Sequence, residues 1–264
     1  MRYEQGLGRG PHRPRRCLQP LQHRPARRRR AREPRSRLRR PIDDPLDELR
    51  AHLGGRTGLF ESLIEVGDRP YRILHPISAD ALLDEEDFER DERLPYWAEL
   101  WPSAIALARY LAQENLAGKR AIELGCGVGL PSVVALARGA AVTASDHYEA
   151  ALEFTSHNAM TNLDLEPETA LLDWHAPDTQ RFGTFDLIFA ADVLYERRHA
   201  LALAGLIPDL LEPGGEAVFA DPRRKDAPLF LELMEERGFK ETTREMTVEQ
   251  VRREVTVLVH NFRR

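Results

Sequence analysis

The sequence predicts an α/β fold, a doubly wound seven-stranded sheet that is mostly parallel and carries a β-hairpin extension at its N-terminal side. Two observations support this prediction. From residue 120 onward, segments with strand patterns alternate with segments of helical pattern, the order that a parallel sheet with helices on both faces requires. The segment 185–191 is almost entirely apolar, as expected for a central strand that helices cover on both sides.

The same patterns give the boundaries of the elements. Strands are predicted at 120–124, 140–145, 168–172, 185–191, 216–220, about 240–246 and 254–260, with helices at 130–138, 149–162, 197–211 and 226–237. Residues 247–253 leave room only for a short connection, so the final strand is predicted to run antiparallel at the sheet edge. Upstream, we expect a short helix at 43–54, a hairpin of strands 60–66 and 70–75, and a helix that Ser103 caps and that ends near Gln113.

Charge divides the chain into two unlike parts. Residues 1–42 hold fifteen arginines and two glutamates, and since the whole chain carries a net charge of −5, the remainder is strongly acidic. We expect residues 1–45 to be a disordered Arg/Pro-rich tail, 46–94 a helix and hairpin extension, and 95–264 the main domain. The tail could be an arm for nucleic acid or an acidic partner, a transit peptide for the mitochondrial matrix, an overlong reading of the gene start, or a solvated segment without a specific role.

Composition narrows the cellular setting. The two cysteines, Cys17 and Cys126, exclude a disulfide framework and favour a reducing, cytoplasmic location. Neither a membrane span of about 20 apolar residues nor a secretory signal is expected. An acidic domain repels phosphates, so nucleic acid would bind through the tail only. The nine histidines lack the spacing of metal ligands, and we expect no metal.

Residues 121–129, Ala-Ile-Glu-Leu-Gly-Cys-Gly-Val-Gly, form the most informative motif. A strand that ends in a glycine loop and leads into a helix exposes main chain on which a nucleoside-bearing cofactor can lie, although a turn without a ligand is the alternative. A dinucleotide site would need Gly or Ala at the position of Leu130. The pattern of Glu123, Gly125, Gly127 and Gly129 instead resembles the first motif of the class I S-adenosylmethionine-dependent methyltransferases, which have a Rossmann-like fold. That resemblance implies that the loop wraps the methionine and ribose parts of S-adenosylmethionine.

Further polar and aromatic side chains follow the next strands, where a doubly wound sheet binds its ligands. Asp146 can accept hydrogen bonds from ribose hydroxyls, or it caps the following helix. Asp173 can accept from the adenine amino group and Trp174 can pack on the ring, or they are a turn residue and a core residue. Asp192 and Tyr195 lie where a methyl acceptor would approach and can orient an amine there, or they are a helix cap and a packed ring.

A narrower resemblance rests on four segments: Pro95-Tyr-Trp-Ala-Glu-Leu-Trp-Pro102, Glu123 to Gly129, Asp173-Trp174, and Ala191-Asp-Val-Leu-Tyr195. Together they are similar to the seven-β-strand protein lysine methyltransferases, in particular the branch with the electron-transfer-flavoprotein β-subunit lysine methyltransferases and their bacterial relatives. The resemblance covers about residues 56–262. It implies that Trp101 and the backbone near Ala191 contact the cofactor, and that Asp192 and Tyr195 serve an acceptor lysine of a protein substrate.

This chain departs from that branch in the loop after the fifth strand. The branch often has Asp-Pro-Gly-Arg there, whereas this sequence has Arg223 in place of the glycine, which puts the shape of the substrate loop in question. Three other functions stay open. They are methylation of a small-molecule amine on the same fold, nucleic-acid binding through the tail, and a structural role without a cofactor.

Overall fold

The structure, a computed structural model, describes residues 45–83, 94–250 and 253–264. The chain divides into two units, Met1–Ile42 and Asp43–Arg264, and every described residue belongs to the second unit. The predicted tail lies outside the described residues except for Pro45, and so do residues 84–93, which follow the hairpin.

Helices and strands alternate as the sequence predicts. The helices are α1 (Pro45–His52), α2 (Pro102–Leu111), α3 (Leu130–Ala137), α4 (Glu149–Leu163), α5 (Arg197–Leu210) and α6 (Ala227–Glu236). The strands are β1 (Leu59–Val66), β2 (Arg69–Pro76), β3 (Arg120–Leu124), β4 (Ala141–Asp146), β5 (Glu168–Leu171), β6 (Phe185–Ala191), β7 (Leu211–Asp221), β8 (Lys240–Gln250) and β9 (Arg253–Arg263).

The seven-stranded sheet has the order β5-β4-β3-β6-β7-β9-β8, and β1 and β2 form a separate antiparallel hairpin. The predicted α/β class, the mostly parallel sheet and the hairpin extension are confirmed. The final strand, β9, is antiparallel as predicted, but its predicted position at the edge is wrong. It lies between β7 and β8, so that β8 forms the edge.

The predicted connection at 247–253 is also wrong, because most of it is strand. The ladder between β8 and β9 continues from Lys240 opposite Arg263 to Gln250 opposite Arg253. Val248 and Val257 are buried in this stretch, so alternate residues of the long hairpin reach the core. The apolar alternation there extends the strands further than the turn composition of the segment suggests.

Each face of the sheet carries its own hydrophobic layer. Neighbouring residues of β3 and β6 point to opposite faces, so Ala121 and Phe189 join the layer of α2, α3 and α4, while Ile122 and Ile188 join the layer of α5 and α6. The hairpin contributes Tyr71 and Ile73 to the first layer. Among the described helices, none is both long enough and apolar enough to cross a bilayer.

Two asparagines of α4 bind the free edge of β2. The Asn158 amide accepts from Leu74 N at 2.8 Å and donates to Leu74 O at 2.9 Å, and Asn162 bonds both backbone groups of Arg72 at 2.9 and 2.7 Å. One helical turn and two strand residues have similar lengths, about 6 Å, so the two amides match alternate residues of the strand. The asparagines therefore take the place of a neighbouring strand and attach the hairpin to α4.

The buried carboxylate of Glu216 joins β7 to β9. Glu216 accepts hydrogen bonds from Lys119 Nζ at 2.7 Å, Asn261 Nδ2 at 2.8 Å and Arg263 Nη2 at 2.7 Å. Burial alone raises the pKa of Glu216, but the bonds from Lys119, Asn261 and Arg263 outweigh it and lower the pKa to about 2. The carboxylate is therefore ionised throughout the neutral range.

Replacing Asn158 with alanine should cost more stability than the same change at Asn162. Asn158 is fully buried, so its loss leaves backbone groups without partners and should lower the free energy of unfolding by about 3 kcal/mol. Asn162 is partly exposed, so water can replace its bonds and the loss should be about 1 kcal/mol or less. Urea denaturation of both variants measures the difference. Equal losses would show that the amide bonds of Asn158 do not carry the attachment.

Stability should fall in acid through Glu216. Its pKa is lower in the folded than in the unfolded chain, so its contribution is present above about pH 4.5 and is lost as the pH falls towards 2. We expect about 2 kcal/mol, less than the full shift implies because Arg263 is largely exposed. Urea denaturation at pH 7 and pH 3 should show a smaller pH effect for Glu216→Gln than for the unchanged protein. An identical effect in both would contradict this role.

Candidate active site

A cleft lies at the carboxyl ends of the central strands, with about 1030 Å³ of space that includes its opening to solvent. Parallel strands all end at the same edge of a sheet, so the segments that follow β3, β4, β5 and β6 meet there. Every residue that the sequence predicts for the site lines this cleft: Trp101, Glu123, Gly125, Gly127, Gly129, Asp146, Asp173, Trp174, Ala191, Asp192 and Tyr195. The structure thus brings the predicted residues together.

The glycine loop between β3 and α3 is tightly packed. Gly125 and Gly127 have φ of +76° and +53°, a left-handed conformation that favours glycine. A Cβ atom at Gly125 would lie 3.0 Å from the Trp174 ring, and one at Gly127 would lie 3.0 Å from the Trp97 carbonyl oxygen. Glycine is therefore needed at these positions for the turn and for close contact with two tryptophans that also line the cleft.

Asp146 holds this loop to the end of β4. Its Oδ2 accepts from Gly127 N and its Oδ1 from Tyr148 N, both at 3.0 Å. Burial raises the pKa of Asp146, which backbone hydrogen bonds partly offset. The alternative that Asp146 caps α4 is not what the structure shows, since Tyr148 is the N-cap and no side chain caps the helix. The carboxylate lines the cleft and retains lone pairs for a ligand.

Glu123 lies at the floor of the cleft and is almost fully buried. Its Oε2 accepts a 2.5 Å hydrogen bond from Ser132 Oγ at the start of α3. Burial raises the pKa of Glu123 well above its usual range, and the bonds from Ser132 only partly counteract this. Within the described ranges, no group of three or more His, Cys, Asp or Glu side chains is placed to hold a metal ion.

Asp173 and Trp174, which follow β5, have different roles: Asp173 is a turn residue, and Trp174 forms part of the wall of the cleft. Asp173 Oδ1 accepts from His175 N at 2.9 Å, as the turn alternative predicts, and the residue still lines the cleft. The partly buried Trp174 ring packs against Gly125, and its Nε1 is buried with no hydrogen-bond partner among the described residues. A buried donor without a partner in a cleft wall is suited to a ligand that brings an acceptor.

Asp192, after β6, is held from two sides and adopts a φ of +60°. Its Oδ1 accepts from Arg224 Nε at 2.7 Å, and its Oδ2 accepts from Ser103 Oγ at 3.2 Å. It is not a helix cap, because α5 begins after Glu196. The predicted cap at Ser103 is wrong as well, since α2 begins at Pro102 and the Ser103 hydroxyl bonds Asp192 instead.

Aromatic rings surround the opening beside Asp192. Tyr195 lies edge-on to Tyr96 at 5.1 Å and to His199 at 4.7 Å between ring centroids, and Trp101 Nε1 donates to Tyr96 O at 2.9 Å. We call Tyr96, Trp101, Tyr195 and His199 the aromatic wall. Burial raises the pKa of Tyr195, so its hydroxyl stays protonated near neutral pH.

Sequence reasoning missed Tyr96, His199 and Arg224. Tyr96 stands in a segment that is unusually rich in aromatic residues, and Arg224 follows the end of β7. Both positions could therefore have been predicted from the sequence to lie at the site. His199 lies within α5 and carried none, because only the fold turns the first turn of that helix towards the cleft.

Arg223 keeps the left-handed backbone of the loop after β7. Its φ is +66°, a conformation that glycine adopts readily and that other residues adopt at a cost. Its side chain forms an ion pair of 2.9 Å with Glu245, in which both partners are 60% exposed. The position at which the resembled branch is expected to have glycine thus has a backbone conformation that suits glycine.

Replacing Arg223 with glycine should stabilise the fold by about 1 kcal/mol, because it relieves the left-handed conformation and loses only an exposed ion pair. Arg223→Ala is the matched control, since it loses the same ion pair and keeps the conformational cost. Thermal unfolding of both variants measures the difference. A glycine variant no more stable than the alanine variant would contradict the assigned strain.

Comparison with known proteins agrees with this architecture. Residues 86–237 match a family model described as lysine methyltransferase. A solved magnesium protoporphyrin IX methyltransferase of Synechocystis, with bound S-adenosylmethionine, shares the fold with a TM-score of 0.50 at 19% identity, covering 69% of this chain and 86% of that one.

Two curated relatives are similar in sequence over part of their length. A protein N-lysine methyltransferase of Danio rerio is 36% identical over 132 residues, which cover 46% of this chain and 60% of the relative. A histone-arginine methyltransferase of Xenopus laevis is 32% identical over 137 residues, covering 50% of this chain and 58% of the relative. The chain thus spans less than two thirds of the length of either relative. The family model, however, matches more than half of this chain, which therefore belongs to the lysine methyltransferase family.

Proposed function

We propose that this protein transfers a methyl group from S-adenosylmethionine to a lysine side chain of a protein substrate. One observation carries the proposal. A single cleft joins the glycine loop and Asp146 on one side to Asp192 and the aromatic wall on the other, in a chain of the lysine methyltransferase family. The Danio rerio relative is named for the same reaction, which supports lysine over other acceptors.

The cofactor side of the cleft fits S-adenosylmethionine, which supplies a methyl group on a positively charged sulfur. Asp146 offers carboxylate lone pairs to ribose hydroxyls, and the Trp174 face and its buried, unpaired Nε1 suit a flat base that carries acceptors. Gly125 and Gly127 leave the part of the loop that faces the cofactor side of the cleft without side chains.

The acceptor side suits an amine. Asp192 is ion-paired with Arg224, and its carboxylate can accept a hydrogen bond from the N–H of the incoming amine and so orient it. The Tyr195 hydroxyl oxygen can accept a hydrogen bond from a second N–H of the same amine, and the aromatic wall can contact the lysine methylenes and the methylated, charged product. The nitrogen lone pair forms the new N–C bond as the C–S bond breaks with its electrons left on sulfur. The surplus proton leaves to water.

Methylation of a small-molecule amine is the competing function, because the cofactor side of the cleft would be the same. The protein substrates in the names of both relatives favour a protein acceptor. A cytoplasmic location remains part of the proposal and is supported by the two cysteines alone.

Removing the Asp146 carboxylate should weaken adenosylhomocysteine binding by about 1–3 kcal/mol, through unpaired ribose hydroxyls and a loosened loop. Gly125→Arg should abolish binding, because the side chain would collide with Trp174. Calorimetry measures both, with Asp209→Ala, an exposed carboxylate on α5, as the control of equal charge change. Affinities near that of the unchanged protein for both Asp146→Ala and Gly125→Arg would exclude this cofactor pocket.

The function itself is tested by incubating the pure protein with radiolabelled S-adenosylmethionine and a cell lysate, followed by a gel. We expect a labelled protein band in which mass spectrometry finds methyl-lysine. Asp192→Ala should lower the labelling rate at least about tenfold with little change in adenosylhomocysteine affinity. Label in small molecules only would favour the competing function, and unchanged labelling by Asp192→Ala would exclude its acceptor role.

A further inference from the structure

The Asp192 carboxylate, which lies in the acceptor side of the cleft, already has a cationic partner. Arg224 Nε is 2.7 Å from Asp192 Oδ1, and the Asp192 side chain is only 4% exposed. The guanidinium carbon also lies 5.7 Å from the centre of the Trp101 ring. Arg224 reaches Asp192 from the loop after β7, whereas Asp192 itself lines the cleft.

The loop after β7 is built to keep Arg224 in this place. Its backbone N–H donates to Asp221 Oδ2 at 2.9 Å, and the residue before it, Arg223, takes up the left-handed turn. The other Asp192 oxygen accepts from Ser103, an uncharged donor. A charged donor and a neutral donor therefore hold the same carboxylate. Variants of the two residues can thus distinguish an effect of charge from an effect of geometry.

We propose that Arg224 neutralises Asp192, so that the acceptor pocket receives the amine in its uncharged, nucleophilic form rather than as an ammonium ion. The inference rests on the amine-methylating function proposed above. Arg224 acts here as a positioning residue through Asp192, with no contact to the reacting atoms.

The reason lies in what a buried carboxylate without a counter-ion would do. It would attract an ammonium ion strongly and hold it protonated, and a protonated amine has no lone pair with which to attack a methyl group. When Arg224 compensates the charge, Asp192 still accepts a hydrogen bond from a neutral amine. The preference for the ammonium form is then reduced without loss of the orienting bond.

Other charged groups near Asp192 do not replace Arg224 in this role. Glu196 and Arg198, which follow β6, form an ion pair with each other at 2.6 Å. Asp221 is 1% exposed, and burial raises its pKa; the backbone N–H groups of Arg224 and Arg223 lower it, whereas the negative charge of Asp192 raises it further. Among the described residues, Arg224 is thus the cation that is bonded to Asp192.

The test compares two small probes of similar shape, n-butylammonium as a charged lysine mimic and n-butanol as a neutral one. Their affinities are measured at pH 7 by NMR titration, with and without adenosylhomocysteine. Arg224→Met should bind butylammonium at least about tenfold more tightly relative to butanol than the unchanged protein does. Arg224→Lys keeps the positive charge and should have the same affinity ratio as the unchanged protein. Ser103→Ala should have a ratio within about twofold of that of the unchanged protein.

A second variant keeps the inference testable if Arg224→Met does not fold. Asp192→Asn leaves Arg224 without its counter-ion and should disfavour butylammonium at least about tenfold relative to butanol. An unchanged ratio in Arg224→Met or in Asp192→Asn would overturn the inference, as would an equal shift in Ser103→Ala. The ratio is read without methyl transfer, so failure of the proposed function would appear separately, as absent cofactor binding and absent labelling.

Discussion

The attachment of the glycine loop to the end of β4 is the constraint on which the cleft depends. The backbone N–H groups of Gly125 and Cys126 both donate to Ser145 O at 2.9 Å, and that of Gly127 donates to the Asp146 carboxylate. These bonds fix the loop from the strand beside it. The protein's own hydrogen bonds therefore hold the loop in place, and a preformed surface reduces the ordering that binding has to supply.

Helix α4 extends this constraint to the hairpin. Its Thr155 hydroxyl donates to Gly127 O at 3.0 Å, and the Asn158 amide donates both to Val128 O at 2.8 Å and to Leu74 O of β2. One helix therefore holds the loop and the free edge of the hairpin with side chains of the same face. The hairpin is part of the first hydrophobic layer, and its attachment supports the wall of the cleft.

The acceptor side depends instead on two residues in left-handed conformations, Asp192 after β6 and Arg223 after β7. These strands are neighbours in the sheet, so the two turns lie side by side and bring Arg224 to Asp192. Conformations of this kind cost free energy and persist where the surrounding structure determines them, which is common at functional sites. The backbone of a different loop therefore places the counter-ion of Asp192.

The sequence by itself determined the order of the elements, the fold class and eleven of the residues that line the cleft. These follow from local patterns, because a buried parallel strand needs an apolar run and a tight loop needs glycine, and because parallel strands place their following residues at one edge. The tertiary structure alone decided which partners those residues have. Ser103 looked like a helix cap and is bonded to Asp192, Arg224 is its counter-ion, and β9 lies inside the sheet rather than at its edge. Such contacts join residues far apart in the chain, and they depend on register and packing, which no local pattern encodes.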